Sequence, residues 1–159
     1  MPESAILGTR GDGWNQVTSE LAFERSGPER FLSSMALLTE LIGRLSERSN
    51  GDERAEIAIG RLSAHLMALR RLSRSVSGML QRGENPALQA SLVKDVGAEF
   101  EQSLPEIARL LVEAEPDKGA RDEYAATLAE TMLSAPSYSL RGGTREILRG
   151  IIARGLGLR

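Results

Sequence analysis

Residues 137–158 read SYSLRGGTREILRGIIARGLGL. The two glycines at Gly142 and Gly143 stop any preceding helix and let the backbone approach a neighbouring group closely. Thr144 is a residue type that caps a helix N-terminus. Ile147, Leu148, Ile151 and Ile152 then recur at a spacing that puts them on one helical face. A last helix is therefore expected to start after Gly142-Gly143-Thr144 and to bury these four side chains. Its first N–H groups have no partner within the helix and form the positive end of its dipole, so the glycine turn is also a place where a polar ligand could be held.

Working back from this segment, the same periodicity recurs between strong turn signals. Ser134-Ala135-Pro136-Ser137 is expected to break the preceding helix, which spans about residues 120–134 and carries Tyr124, Leu128 and Met132. Glu115-Pro116-Asp117-Lys118-Gly119 is the turn before it. The next helix back carries Leu88, Leu92, Val96, Phe100, Leu104, Ile107 and Leu111, with Pro105 expected to bend it. Arg82-Gly83-Glu84-Asn85-Pro86 ends a helix bearing Ile57, Leu62, Leu66, Leu69, Val76 and Leu80. Ser49-Asn50-Gly51-Asp52 is a turn. Before it, Phe31, Met35, Leu38, Leu41, Ile42 and Leu45 mark another helix, and Val17, Leu21 and Phe23-Glu24-Arg25 an earlier part of it. Gly27-Pro28 kinks or breaks this first helix, and Ser26 and Glu29 have the spacing of a capping box for a restart. Residues 1–13 are an irregular lead-in. Long amphipathic helices joined by short turns predict an all-α fold: one domain, residues 1–159, forming an up-down bundle of four to five helices.

Composition agrees. Of 159 residues, 41% are hydrophobic and only 4% aromatic, which suits a helical core better than a β-rich one. The net charge of -2 gives no basic footprint for nucleic acid, although Arg70, Arg71 and Arg74 cluster locally. No apolar run approaches a membrane span, and the N-terminus lacks the features of a signal peptide. A cytoplasmic protein is the expectation. With no cysteine and a single histidine, His65, no metal site is expected, and His65 reads as structural. Trp14 is expected to pack under the first helix.

The closing segment resembles the C-terminal signature of acyl-CoA dehydrogenases, G-T-x-E-I-x-R-x-x-I-A-R. The matching positions are Gly143, Thr144, Glu146, Ile147, Arg149, Ile152, Ala153 and Arg154. At the other end, Gly11-Asp12-Gly13-Trp14 and a short helix ending Phe23-Glu24-Arg25 resemble the family's entry into its C-terminal helical domain. The resemblance covers essentially the whole chain. It implies a domain that works beside an N-terminal helical and a middle β-domain, both absent from this sequence.

What the resemblance implies chemically is α,β-dehydrogenation of an acyl-CoA thioester, with a carboxylate taking the α-proton and FAD accepting hydride. Most family members place the base just before the Gly-Thr pair. Here that position is Gly142, and its neighbour Arg141 stays protonated. Isovaleryl- and long-chain-type members carry the base on an earlier helix as a Glu followed by Arg. Glu24-Arg25 stands at that point. Glu24 is therefore the candidate base, although a Glu on a helix is most commonly a solvated carboxylate, and Glu20, one turn earlier, is the rival. Arg25 either orients Glu24 or faces the acyl-CoA. Tyr138 either lines the acyl pocket or packs in the core. Gly142, Gly143, Thr144 and Glu146 are the implied flavin contacts, with N-capping by Thr144 compatible with that role.

Two of the family's flavin-contacting stretches are replaced. Arg48-Ser49-Asn50-Gly51-Asp52-Glu53-Arg54 stands where Arg-x-x-Phe-Gly is usual, and residues 111–119, LVEAEPDKG, where Gln-x-x-Gly-Gly is usual. The resemblance implies a homo- or hetero-oligomer with related dehydrogenase chains. These losses weaken the case for FAD bound across a homotetramer interface and fit a heteromeric dehydrogenase in which one of two related chains has lost its share of a flavin site. A non-catalytic helical module that kept the fold and lost the chemistry is the alternative.

Overall fold

The computed structural model describes residues 3–48 and 51–158, so Ser49 and Asn50 of the second expected turn lie outside it. After a short 3-10 turn at Glu3–Ala5, the chain forms α1 (Gly13–Ser26), α2 (Glu29–Leu32), α3 (Met35–Ser46), α4 (Glu53–Gln81), α5 (Ala87–Leu111), α6 (Glu123–Tyr138) and α7 (Arg145–Gly155). Counted as one broken helix, α1 to α3 bring the number to the five expected. No strand occurs among the described residues.

α5 is the axis of the molecule. It packs against every other helix, and it is buried on several sides because apolar and small residues surround it (Ala90, Val93, Gly97, Ala98, Phe100, Leu104). The main core lies between α3, α4, α5 and α6, with Leu37, Leu41, Leu69, Phe100, Leu104, Tyr124 and Leu128 at its centre. The Tyr124 hydroxyl donates to the Ala108 carbonyl at 3.0 Å, which satisfies the one polar atom the ring brings inside. A smaller cluster of Ala22, Val76, Ala90 and Val93 joins α1 to the end of α4 and the start of α5.

The helix boundaries have identifiable causes. The Asp52 carboxylate caps α4 by accepting from the Arg54 and Ala55 amides. Gly83, at φ +72°, ends it in the left-handed conformation expected at such a C-terminus. Pro105 stays inside a continuous α5 and simply leaves the Glu101 carbonyl without an N–H four residues on.

Several sequence expectations are corrected. The break at 134–137 does not occur: α6 begins at Glu123 and runs through Pro136 to Tyr138. Pro136 forfeits the N–H that would have reached the Met132 carbonyl, and the Gln102 amide reaches across from α5 to the Ala135 carbonyl at 3.2 Å, satisfying one of the end carbonyls of α6. The capping box does not form either. The Ser26 hydroxyl donates back to the Ala22 carbonyl at 2.7 Å, while Glu29 pairs with Arg30 at 3.2 Å. Trp14 is exposed, not packed under α1, because the inward stripe of α1 is Ala22, Arg25 and Ser26. On α7 only Leu148 is fully buried, Ile151 and Ile152 are partly covered, and Ile147 is exposed. No helix among the described residues is long and apolar enough to cross a membrane.

Candidate functional site

At one end of the bundle, α1, the end of α4, the start of α5 and the 142–151 segment surround a groove of about 1030 Å³. Its apolar wall includes Trp14, Phe23, Leu80, Ile147 and Ile151, and Glu24, Gly142 and Gly143 also line it. The first and last helices of the chain thus meet here, although more than a hundred residues separate them in sequence.

The meeting of Glu24 with Gly142 is close. Gly142 has φ +70°, and a Cβ placed on it would lie 3.3 Å from the Glu24 Oε1. A side chain at position 142 would therefore compete with the Glu24 carboxylate for the same space, besides straining the backbone. The Glu24 side chain remains 46% exposed, so the carboxylate opens to the groove. Arg25 lines the groove too, and its Cγ is as close to a Cβ at position 142, at 3.3 Å. It is buried, and its Nε donates to the Gly142 carbonyl at 2.8 Å, bridging α1 to the glycine turn. Burial lowers the Arg25 pKa, with the adjacent Glu24 carboxylate opposing the shift. Glu20 is exposed on α1 and does not line the groove.

Gly143 has φ +110°, and a Cβ there would make ordinary contact with Arg25 Nη2 at 3.7 Å and with the side chains of Ile147 and Leu148. Thr144 is the N-cap of α7, but its side chain accepts no backbone N–H. Its hydroxyl meets the Glu146 carboxylate instead. That carboxyl is held below the usual range first by its own backbone N–H and then by Thr144. Neither residue lines the groove. Tyr138 is buried at the end of α6 with Arg141 stacked over its ring at 4.8 Å, also away from the groove. His65 packs edge-on against Phe100.

The sequence profile of the acyl-CoA dehydrogenase C-terminal domain matches residues 11–157. The chain belongs to the acyl-CoA dehydrogenase family. Its helical bundle is that family's C-terminal domain. It is 28% identical to acyl-CoA dehydrogenase FadE34 of Mycobacterium tuberculosis (strain ATCC 25618 / H37Rv), over 98% of this chain and 21% of that protein. The fold is that of the acyl-CoA dehydrogenase of Geobacillus kaustophilus (TM-score 0.83, 18% identity, 98% of this chain and 42% of that one). It is likewise that of butyryl-CoA dehydrogenase of Megasphaera elsdenii (TM-score 0.81, 18% identity, 100% of this chain and 42% of that one). The chain thus spans less than half the length of each of these relatives.

One part of this dehydrogenase domain was missed in the sequence. Beneath the Glu24–Gly142 contact lies a buried charged cluster of Arg30, Lys94, Glu101 and Arg141. Arg30, Lys94 and Glu101 are inaccessible to solvent or nearly so. Arg30 donates to the Glu24 carbonyl from Nη2 at 2.9 Å and from Nε at 3.3 Å. Lys94 Nζ donates to the Tyr138 carbonyl, and Arg141 Nη2 pairs with Glu101 Oε1 at 3.0 Å. Arg30 Nη1, Glu101 Oε2 and Arg141 Nε are buried without a hydrogen-bond partner among the described residues. A signal was present: Lys94 and Glu101 fall on the same stripe of α5 as Ala98 and Leu104, where a charge must find a partner.

Proposed function

We propose that this chain is the C-terminal part of a flavin-dependent acyl-CoA dehydrogenase and that Glu24 is the base that takes the α-proton of the acyl-CoA thioester. The observation that carries the reading is the Glu24–Gly142 contact. The usual position of the base is a glycine in the left-handed conformation, and a carboxylate from α1 stands against it. Glu24 opens to the groove, so a bound thioester can reach it. Arg25 lines the same groove and holds the glycine turn through the Gly142 carbonyl, so it orients the turn and borders the space an acyl-CoA would fill.

The residues present fit one edge of a flavin. Gly142 and Gly143 line the groove just before α7, whose N-terminus is the positive end of its helix dipole. Gly142 and Gly143 in the groove, with Thr144 and Glu146 just outside it, would hold FAD, and FAD when bound supplies the hydride acceptor. The groove is open along one side, and Trp14, Phe23 and Ile147 are exposed in it. A second wall from the rest of the enzyme, on the same polypeptide or in a partner chain, completes it.

The alternative is a helical module that kept the fold without the chemistry. The replaced stretches at 48–54 and 111–119 favour it. Producing the chain together with the family's other two domains decides between them. Stoichiometric flavin absorbance that is bleached by acyl-CoA supports the dehydrogenase. A colourless assembly without acyl-CoA turnover supports the module.

A further inference from the structure

The buried cluster grips both halves of the candidate site from one helix. Lys94, Gly97 and Glu101 lie at i, i+3 and i+7 on α5, so they share one stripe. Gly97 is the seat for α2. A Cβ there would lie 3.0 Å from both the Cβ and the carbonyl oxygen of Arg30, so any side chain pushes Arg30 off its seat on α5 by a few tenths of an ångström. Seated there, Arg30 holds the Glu24 carbonyl with two N–H groups. On either side of Gly97, Lys94 holds the Tyr138 carbonyl and Glu101 holds Arg141. Residues 138 and 141 lead directly into Gly142.

We propose that the Lys94–Gly97–Glu101 stripe, acting through Arg30 and Arg141, is the positioning element of the candidate active site, fixing the separation between the Glu24 carboxylate and Gly142. None of the three stripe residues lines the groove, so none touches substrate. They act through the backbone at 24 and at 138–142. The charge pattern fits such a clamp better than a stabilising core. An apolar stripe would pack α2 without desolvation cost, whereas buried ions bring a cost that hydrogen bonds must offset. Here those bonds end on the two segments that carry the site. The inference rests on the reading of Glu24 as the base, but its first test does not.

That test compares Lys94→Met, Glu101→Gln and Gly97→Ala with the control Glu106→Gln, an exposed residue of α5. Gly97→Ala alters no charge and displaces Arg30 by only a few tenths of an ångström. Hydrogen exchange of the full chain is read by segment. The expected result is exchange about tenfold faster at 139–144 in the three stripe variants, with the middle of α4 unchanged, because local opening is released without global unfolding. Unchanged protection at 139–144, or an equal loss along every helix, overturns the proposal. If Lys94→Met or Glu101→Gln fails to fold, Gly97→Ala alone carries this readout. In the assembled enzyme, Gly97→Ala and Glu101→Gln should lower kcat about tenfold or more, with KM for acyl-CoA changed less than about twofold, as misplacement of a reacting group does. A rise in KM with kcat kept overturns the positioning role. If Glu24→Gln retains turnover, the base assignment fails while the exchange result still decides whether the stripe orders the turn.

Discussion

Lys94 shows how one residue records the conflict between burial and charge. Burial, with Arg30 adding repulsion, pulls its ammonium down to about 8 from the ordinary 10.5. Between those values the unfolded chain keeps a proton that the folded chain has released, so stability from this residue rises with pH across that window. Below about pH 8 both states are protonated, and the buried charge costs the fold its full desolvation penalty. Chemical denaturation from pH 7.5 upward should therefore show a rising contribution that Lys94→Met removes. A slope identical in the variant contradicts this account. Glu101, its partner in the stripe, is shifted upward by burial, with Arg141 opposing. At Gly142 the concern is conformation: Gly142→Ala should cost about 1 kcal/mol or more from its positive φ alone. It should also push the Glu24 carboxylate from its place.

Among the elements, α7 carries the closing signature, and two kinds of contact hold it to α5. Arg145 pairs with Asp95 at 2.7 Å and with Glu99 at 3.3 Å. Leu148 is fully buried. Partly exposed ion pairs are worth about 0–1 kcal/mol, whereas truncating a buried leucine costs about 2–5 kcal/mol. Urea melts should therefore rank Leu148→Ala well above Arg145→Ala, and the reverse order would show that charge holds the helix. The same helix shows what was legible in the sequence. Its start after the Gly142-Gly143 turn and the periodicity of its apolar face were readable, because glycine turns and spacing are local, although the Thr144 side chain makes no cap. How deeply each side chain is buried was not, because Ile147 borders an open groove rather than a core. Trp14 was misread for the same reason. The extension of α6 through Pro136 depended on Gln102, thirty-four residues earlier, which no local pattern reveals. The pairing of Glu24 with Gly142 was foreseen only through resemblance to a family. The Arg30–Lys94–Glu101–Arg141 cluster is a product of tertiary packing that periodicity marks but does not assemble.

At the scale of the whole molecule, Trp14 and Phe23 are exposed in the apolar groove, and Leu7, Leu133 and Leu140 are exposed elsewhere. The proposed explanation is that this bundle works against further domains and related chains. Sedimentation of the chain alone should then show association beyond its 17.2 kDa monomer at micromolar concentration, relieved by Phe23→Glu or Trp14→Glu. A monodisperse monomer would mean that these faces are not interfaces. The central claim, however, is chemical: a carboxylate from the first helix does the work that the glycine turn of the last helix cannot. Its most direct test is turnover of Glu24→Gln in an assembly shown to hold flavin and to oxidise acyl-CoA. The account predicts a loss of at least about a hundredfold in kcat with flavin content unchanged; activity near that of the unaltered enzyme would contradict it and move the base to a partner chain, since Glu20 does not line the groove.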